Sequence, residues 1–439
     1  MARVEVLIEM DVEVDEALAT FALAGSSLEE GRKQVENLLP DVSGIAYRPT
    51  AKPIPMFTRA EEPDTRGLSA LSAFSSPEKS DDLASVTQIV PAQVEEEALG
   101  ELQERPDVRV WPSSPVFYYG VDCRPFRAAA SVEDIQSKLG VDTIWESGAK
   151  GGGVVVGLLD EGIDGTQYPV VGGYARAGAQ QPGAAAIDSH GSMCAADVLV
   201  AAPEAKLLDY PFLVRRSGGA LVMLNAVLEQ RRLDGTPHVI SNSWGFYAVP
   251  RRESAPEHEV WDLEHPLHRK IREVVISGAA VIFAAGNCGE PCAAGNCEES
   301  SIGAGRSIHG SNSLAEVITV AAVNSEDERI GYSSQGPGMF EHEKPDIAAY
   351  SHFFGNFGPG RPGGDAHTPF DNGTSAACPV AAGVVALLLS ARPGRTPGEL
   401  KAALIDGAQG SGSWTPDFGH GIINAAASFG QLGNGAQAS

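Results

Sequence analysis

Four short segments carry residue types that can do chemistry together. VVVGLLDEGID ends an apolar run in Asp160, and DSHGSMCAADVL places His190 before small residues that open a helix. VIFAAGNCG ends another apolar run in Gly286-Asn287, and DNGTSAACPVAAGVVALLLS sets Ser375 between a Gly-Thr turn and a long apolar helix. Each has an ordinary structural role: a strand-end turn, an exposed loop histidine, a Gly-Asn turn, a helix N-cap. Together, in the order Asp, His, Asn, Ser and each at an element end, they form the set that acyl transfer requires. A serine hydroxyl is a weak nucleophile until a base removes its proton, and histidine is that base near neutral pH. A carboxylate fixes the imidazole tautomer and stabilises the imidazolium. An asparagine amide and the serine N–H can donate to the oxyanion, and a helix N-terminus favours the developing charge.

The elements that must position these groups are legible in the apolar pattern. Runs at Val154–Leu159, Leu207–Leu213, Val239–Trp244, Val281–Ala285 and Val317–Val323 alternate with helical stretches such as Gly219–Arg232 and Leu263–Val275. Continuous apolar strands between helices predict a parallel sheet covered on both faces, with sites beyond its carboxyl ends. Residues 1–120 differ, with 10 Lys and Arg against 22 Asp and Glu. There the pattern predicts a strand at Arg3–Met10, a helix at Leu28–Leu39 and an edge strand within Ile45–Phe57. A strand at Val86–Val90, a helix at Gln93–Arg105 and a strand at Val108–Trp111 complete a β-α-β-β-α-β order. Thr58–Ser85, rich in Ser, Glu, Asp and Pro, reads as a surface insertion. A connector and a helix near Val132–Leu139 lead into the sheet.

The 439 residues suit one large and one smaller domain, and a 43% hydrophobic content allows a sizeable core. A net charge of −25 argues against a nucleic-acid binder and against docking on anionic membranes. No run reads as a membrane span. MARVEVLIEMDVEVDE has no apolar targeting core, so a cytoplasmic chain is expected, with export by another route left open. Cys288, Cys292 and Cys297 admit three readings: free thiols, a local disulfide, or a zinc site with His309. His258, His265 and His268 read as a solvated polar insertion before a metal site. The glycines of GAKGGGVVVG precede a strand, so no dinucleotide fingerprint is present.

DEGID, HGSMCA, SNSWG, AAGN and NGTSAACP resemble, in order, the motifs of the subtilisin-like serine proteases (subtilases, family S8), over about residues 130–428. The resemblance implies an α/β fold, a subtilisin-like parallel sheet with helices on both faces, preceded by a small ferredoxin-like α+β domain. By the same resemblance Asp160, His190 and Ser375 form the triad and Asn287 the oxyanion donor. Ser241, Asn242, Ser243, Trp244 and Gly245 match the strand that pairs with substrate backbone. Residues 1–119 correspond to an inhibitory propeptide with an insertion near 58–85, and residues 120–439 to the catalytic domain. VRVWPSSPVFYYG would be its tail in the cleft, with self-cleavage near Tyr118–Gly120. The implied activity is serine endopeptidase. The partners are a protein or peptide substrate and the chain's own N-terminal domain, with no nucleic acid, membrane, cofactor or metal. Two other readings stay open: a catalytically silent scaffold, and a peptide ligase or cyclase using the same acyl-enzyme. Ala376, Cys378 and Val380 depart from the usual serine motif at packing positions. Val198–Ala205 passes quickly to the next strand, so the calcium loop of secreted members is expected to be absent.

Overall fold

The structure is a computed structural model that describes residues 3–11, 48–49, 51–59, 83–118, 130–174, 180–212, 215–365, 369–410 and 412–433. It divides into two compact units. One comprises residues 116–213, 233–250 and 278–439; the other comprises residues 1–115, 214–232 and 251–277.

The larger unit is built on seven strands: β7 (Val155–Asp160), β8 (Val170–Gly173), β9 (Lys206–Pro211), β10 (Val239–Asn242), β12 (Ala280–Ala284), β13 (Ile318–Val323) and β14 (Ile347–Tyr350). Their order is β14-β13-β12-β10-β7-β9-β8, and every pairing is parallel. The five apolar runs become β7, β9, β10, β12 and β13, buried because helices cover both faces. β8 and β14 escape the apolar pattern: VVGG and IAAY are short and carry little bulk.

Helix α2 (Val132–Leu139) begins with a capping box, Ser131 and Asp134, and stops at Gly140 with φ 70°, a left-handed turn that glycine adopts without strain. The short α3 (Asp142–Trp145) follows it. The two helices that matter for the site are α4 (His190–Ala201) and α7 (Thr374–Ala391). α7 is apolar all round because it runs through the core. It is long and apolar enough to cross a membrane, yet 89% of that stretch is buried in the protein. Gly383 lets it approach α4, since a Cβ there would sit 2.2 Å from the Val198 carbonyl oxygen. The chain closes with α8 (Pro397–Asp406), capped by Thr396 and Glu399, and α9 (Ala425–Gln431).

The second unit holds β1 (Arg3–Asp11), β2 (Arg48–Pro49), β3 (Ile54–Arg59), β4 (Leu83–Glu95) and β5 (Val108–Pro112). The sheet runs β2-β4-β1-β5, with β3 also on β4, and every pairing is antiparallel. Helix α1 (Glu96–Gln103) starts later than expected, because Gln93–Glu95 pair with Arg3–Glu5 and extend β4. Tertiary pairing overrides the local helical signal there. One sheet face packs Val6, Ile8, Val90 and Val94 with Leu102 of α1. The other packs Leu7, Met56, Ile89 and Trp111 against Leu221 of α5 (Ser217–Asp234). The expected helix at Leu28–Leu39 lies outside the described residues, as does most of the 58–85 insertion.

The histidine-rich stretch is solvated only in part: Glu257 and Glu264 are exposed and His258 is half-buried. His265 and His268, at the start of α6 (Pro266–Ile276), are fully buried with Glu259. Glu259 accepts hydrogen bonds from Ser114 N and Oγ, at 2.9 and 2.8 Å, and from Ser217 Oγ. His258 and His265 lie 3.4 and 3.7 Å from its carboxylate, and those charges hold its pKa below the usual range despite burial. His268 Nε2 donates to Glu259 O at 2.6 Å. Polar residues that satisfy one another can be buried as a group, which local sequence composition does not show.

Candidate active site

β7 ends in Asp160, which is 2% exposed. Its Oδ1 accepts from Glu161 N at 2.7 Å and from His190 Nδ1 at 2.7 Å. His190 is the first residue of α4. Ser189 caps that helix by accepting from Ser192 N, and His190 N donates to the Glu161 carboxylate at 3.1 Å. Donation from Nδ1 selects the tautomer with its lone pair on Nε2, the form a general base needs.

Ser375 is the second residue of α7. The turn before it needs Gly373 at φ 78°. Pro379 lies four residues after Ser375 and has no N–H, so the helix cannot use the Ser375 carbonyl. That carbonyl accepts from Ser243 Oγ at 3.0 Å, while Ser375 Oγ donates to Ser243 O at 3.3 Å. Cys194 shows how closely the three residues gather: its sulfur lies 3.6 Å from Asp160 Oδ2, 3.8 Å from His190 Nδ1 and 3.5 Å from Ser375 O. Burial and the neighbouring Asp160 carboxylate push the Cys194 thiol well above its ordinary pKa.

Asn287 follows the end of β12 and is fully buried. Its Oδ1 accepts from Thr374 N at 3.0 Å and from Thr374 Oγ1 at 2.8 Å. This clamp fixes the amide rotamer and turns the NH2 end away from Thr374. Thr374 was not singled out by sequence, although it stands inside the Gly-Thr-Ser turn. Cys288 and Cys297 form a disulfide with Cα atoms 5.7 Å apart, and Cys292 is disulfide-bonded as well. The free-thiol and zinc readings of these three are therefore replaced.

The stretch Ser241–Gly245 splits. Ser241 and Asn242 are buried within β10, where Asn242 Nδ2 donates to Ile282 O at 3.0 Å. Trp244 and Gly245 form β11 and pair antiparallel with Tyr118 and Phe117, which form β6. Tyr118 stacks on the His190 ring, with centroids 5.0 Å apart and planes at 25°. Phe117 lies on Tyr247 with centroids 5.2 Å apart, and Tyr247 OH donates to Tyr118 O at 3.1 Å.

Among the described residues, the group whose metal-donor atoms lie within 4.8 Å of one another is Asp160, His190 and Cys194. A neutral Cys194 thiol is a poor ligand, so these contacts suit hydrogen bonding better than metal binding. His258, His265 and His268 form no such group. α4 passes to β9 through residues 202–205 alone.

Residues 151–421 match the family described as the subtilase family. The chain is 28% identical over 317 residues to the serine protease AprX of Bacillus subtilis (strain 168), covering 63% of this chain and 66% of that protein. It is 27% identical over 344 residues to a calcium-dependent protease of Trichormus variabilis (strain ATCC 29413 / PCC 7937), covering 66% of this chain and 48% of that one. It thus spans about two thirds of the first relative and about half of the second. Fervidolysin from Fervidobacterium pennivorans, a keratinolytic enzyme related to subtilisin, superposes with a TM-score of 0.57 at 17% identity, covering 98% of this chain and 61% of that one. MycP1 with its N-terminal propeptide removed gives a TM-score of 0.50 at 22% identity, covering 67% of this chain and 96% of that one. Both likenesses show the fold, a subtilisin-like α/β architecture.

Proposed function

This chain belongs to the subtilase family of serine proteases, and we propose that within it Ser375 is the nucleophile, His190 the general base, Asp160 its orienting carboxylate and Asn287 an oxyanion donor. The observation that carries this reading is the gathering of Asp160, His190 and Ser375 around the Cys194 sulfur. Ser375 Oγ attacks the scissile carbonyl carbon as its proton passes to His190 Nε2. The oxyanion is held by the Asn287 amide and the Ser375 N–H. Collapse breaks the C–N bond, and the amine leaves with the proton from His190. Water repeats the sequence on the acyl-enzyme and releases the acid.

Residues 1–119 restrain this endopeptidase, whose substrates are proteins or peptides. Support comes from β6: Phe117 and Tyr118 pair with Trp244 and Gly245 as a substrate backbone would, and Tyr118 covers His190. Processing near Tyr118–Gly120 would free the site. The Cys288–Cys297 disulfide supports folding in an oxidising compartment, in place of the cytosolic expectation, and thiol counting under denaturation tests that.

The test is the intact mass of wild type and Ser375→Ala, before and after a fluorophosphonate probe. A wild type that labels once, with an unlabelled variant, supports the nucleophile. Shortening of wild type alone by about 119 residues supports self-processing of residues 1–119. If wild type neither shortens nor labels, the site is closed or silent, and failure to label even after limited removal of residues 1–119 replaces this reading with the scaffold one.

A further inference from the structure

Two carboxyl groups that the chemistry above does not use lie behind the site. Asp197 stands seven residues after His190, two turns along the same face of α4. Asp371 stands four residues before Ser375. Both are fully buried. Asp371 Oδ2 accepts from Asn356 N at 2.6 Å, and its Oδ1 accepts from Phe357 N at 2.7 Å. Among the described residues, no N–H donates to either oxygen of Asp197. The carboxyl group facing it is that of Asp371, and burial together with that neighbouring charge pushes the Asp197 pKa well above its ordinary value. Gly355 makes room for the pair: a Cβ there would lie 2.2 Å from Asp371 Oδ2 and 2.8 Å from Asp197 Oδ1.

Two carboxyl groups can hydrogen-bond only through a proton. Asp371 already accepts two backbone N–H bonds, so it is the charged member; Asp197, without such donors, is the acid. The other ionisable groups facing the pair do not replace that proton. Tyr168 and Cys194 are pushed above their ordinary pKa values by burial. Asp164 adds negative charge on this side, and Arg361, half-buried, favours the charged form of Asp371.

The pair extends into a wider tie. Tyr168 OH donates to Asn356 Oδ1 at 2.6 Å, and Asn356 Nδ2 donates to Ile187 O at 2.9 Å. The loop after Asp160, the approach to His190, α4 and the approach to Ser375 thus meet at one cluster. We propose that Asp197 and Asp371 are positioning residues that share a single proton and lock the helix bearing His190 to the segment bearing Ser375. This rests on the nucleophile and base assigned above. Loss of the proton leaves two carboxylates facing each other in a low dielectric, and the spacing between His190 and Ser375 opens.

The experiment compares Asp197→Asn and Asp371→Asn with wild type in the full-length chain. It reads the fluorophosphonate labelling rate and the thermal midpoint from pH 6 to 11. An Asn at 197 supplies a donor that does not titrate. Labelling at pH 7 stays within about threefold of wild type, and the alkaline fall moves up by about one pH unit or more. An Asn at 371 offers one oxygen where two N–H groups need acceptors, so labelling falls about tenfold or more and the midpoint drops. An unmoved alkaline limb in Asp197→Asn, equal behaviour of the two variants, or failure of Asp197→Asn to fold would overturn the proposal. If wild type does not label at all, even after limited removal of residues 1–119, the nucleophile assignment fails. The midpoint difference between wild type and Asp197→Asn, growing with pH, still decides whether the pair shares a proton.

Discussion

The groups assigned to the chemistry were legible as an ordered set, because each sits at an element end where local sequence signals are strong. Asp160 ends an apolar strand, Asn287 closely follows one, and His190 and Ser375 open helices. Their partners were not legible. Thr374, Asp197 and Asp371 act across gaps in the sequence, and nothing local marks them. Thr374 gives the sharpest test of this scale. Asn287→Ala removes the proposed oxyanion donor and should lower kcat on the order of 10²–10³-fold. Thr374→Val keeps the shape but removes one of the two bonds that aim the amide. One neutral hydrogen bond corresponds to about 1 kcal/mol, so kcat should fall about fivefold with KM little changed. Steady-state kinetics on a peptide substrate separates these, and a Thr374→Val enzyme with unchanged kcat would show that the clamp does not aim Asn287.

At the scale of elements, strands buried on both faces announce themselves by continuous apolar runs, while small or short ones do not. β14 is Ile-Ala-Ala-Tyr, and small residues are what allow α7 to lie close to the sheet. The same economy governs α4 and α7. Gly383→Ala places a Cβ 2.2 Å from the Val198 carbonyl oxygen, so the helices must separate. Overpacking of this kind costs about 1–3 kcal/mol, and because α4 carries His190 and α7 carries Ser375, activity should fall together with the thermal midpoint. A Gly383→Ala protein with wild-type midpoint and kcat would mean the contact is slack. Beside β12 the Cys288–Cys297 bridge closes a short loop next to Asn287. Replacing both cysteines by Ala should remove roughly 2–3 kcal/mol, seen as a lower denaturation midpoint.

Across the whole molecule, buried ionisable groups divide unequally between the two units, and this sets which of them yields first to acid. The unit containing β1–β5 buries His265 and His268, with His258 half-buried, around Glu259. Burial lowers all three imidazole pKa values, His268 to about 3, with Arg269 and Arg272 adding positive charge nearby. Such groups bind fewer protons folded than unfolded. Each therefore loses stability as pH falls below about 6.5, at roughly 1.4 kcal/mol per unit down to the folded value. Glu259, held below its usual range by His265 and His258, adds a loss of the same sign below about pH 4.5. The unit containing β7–β14 is buffered. His352, lowered to about 3, acts in the same direction. Asp209, raised to about 6 by burial, and the Asp197–Asp371 pair, also raised, act oppositely: their stability is full below the ordinary carboxyl range and is lost as pH rises. Acid should thus open the first unit while the seven-stranded sheet holds. Hydrogen exchange of Ser375→Ala, corrected for intrinsic rates, should show protection of β1 and β5 falling between pH 6.5 and 4 while that of β10 and β12 persists. Loss of protection in both units at the same pH would mean that the buried histidines do not set the acid limit.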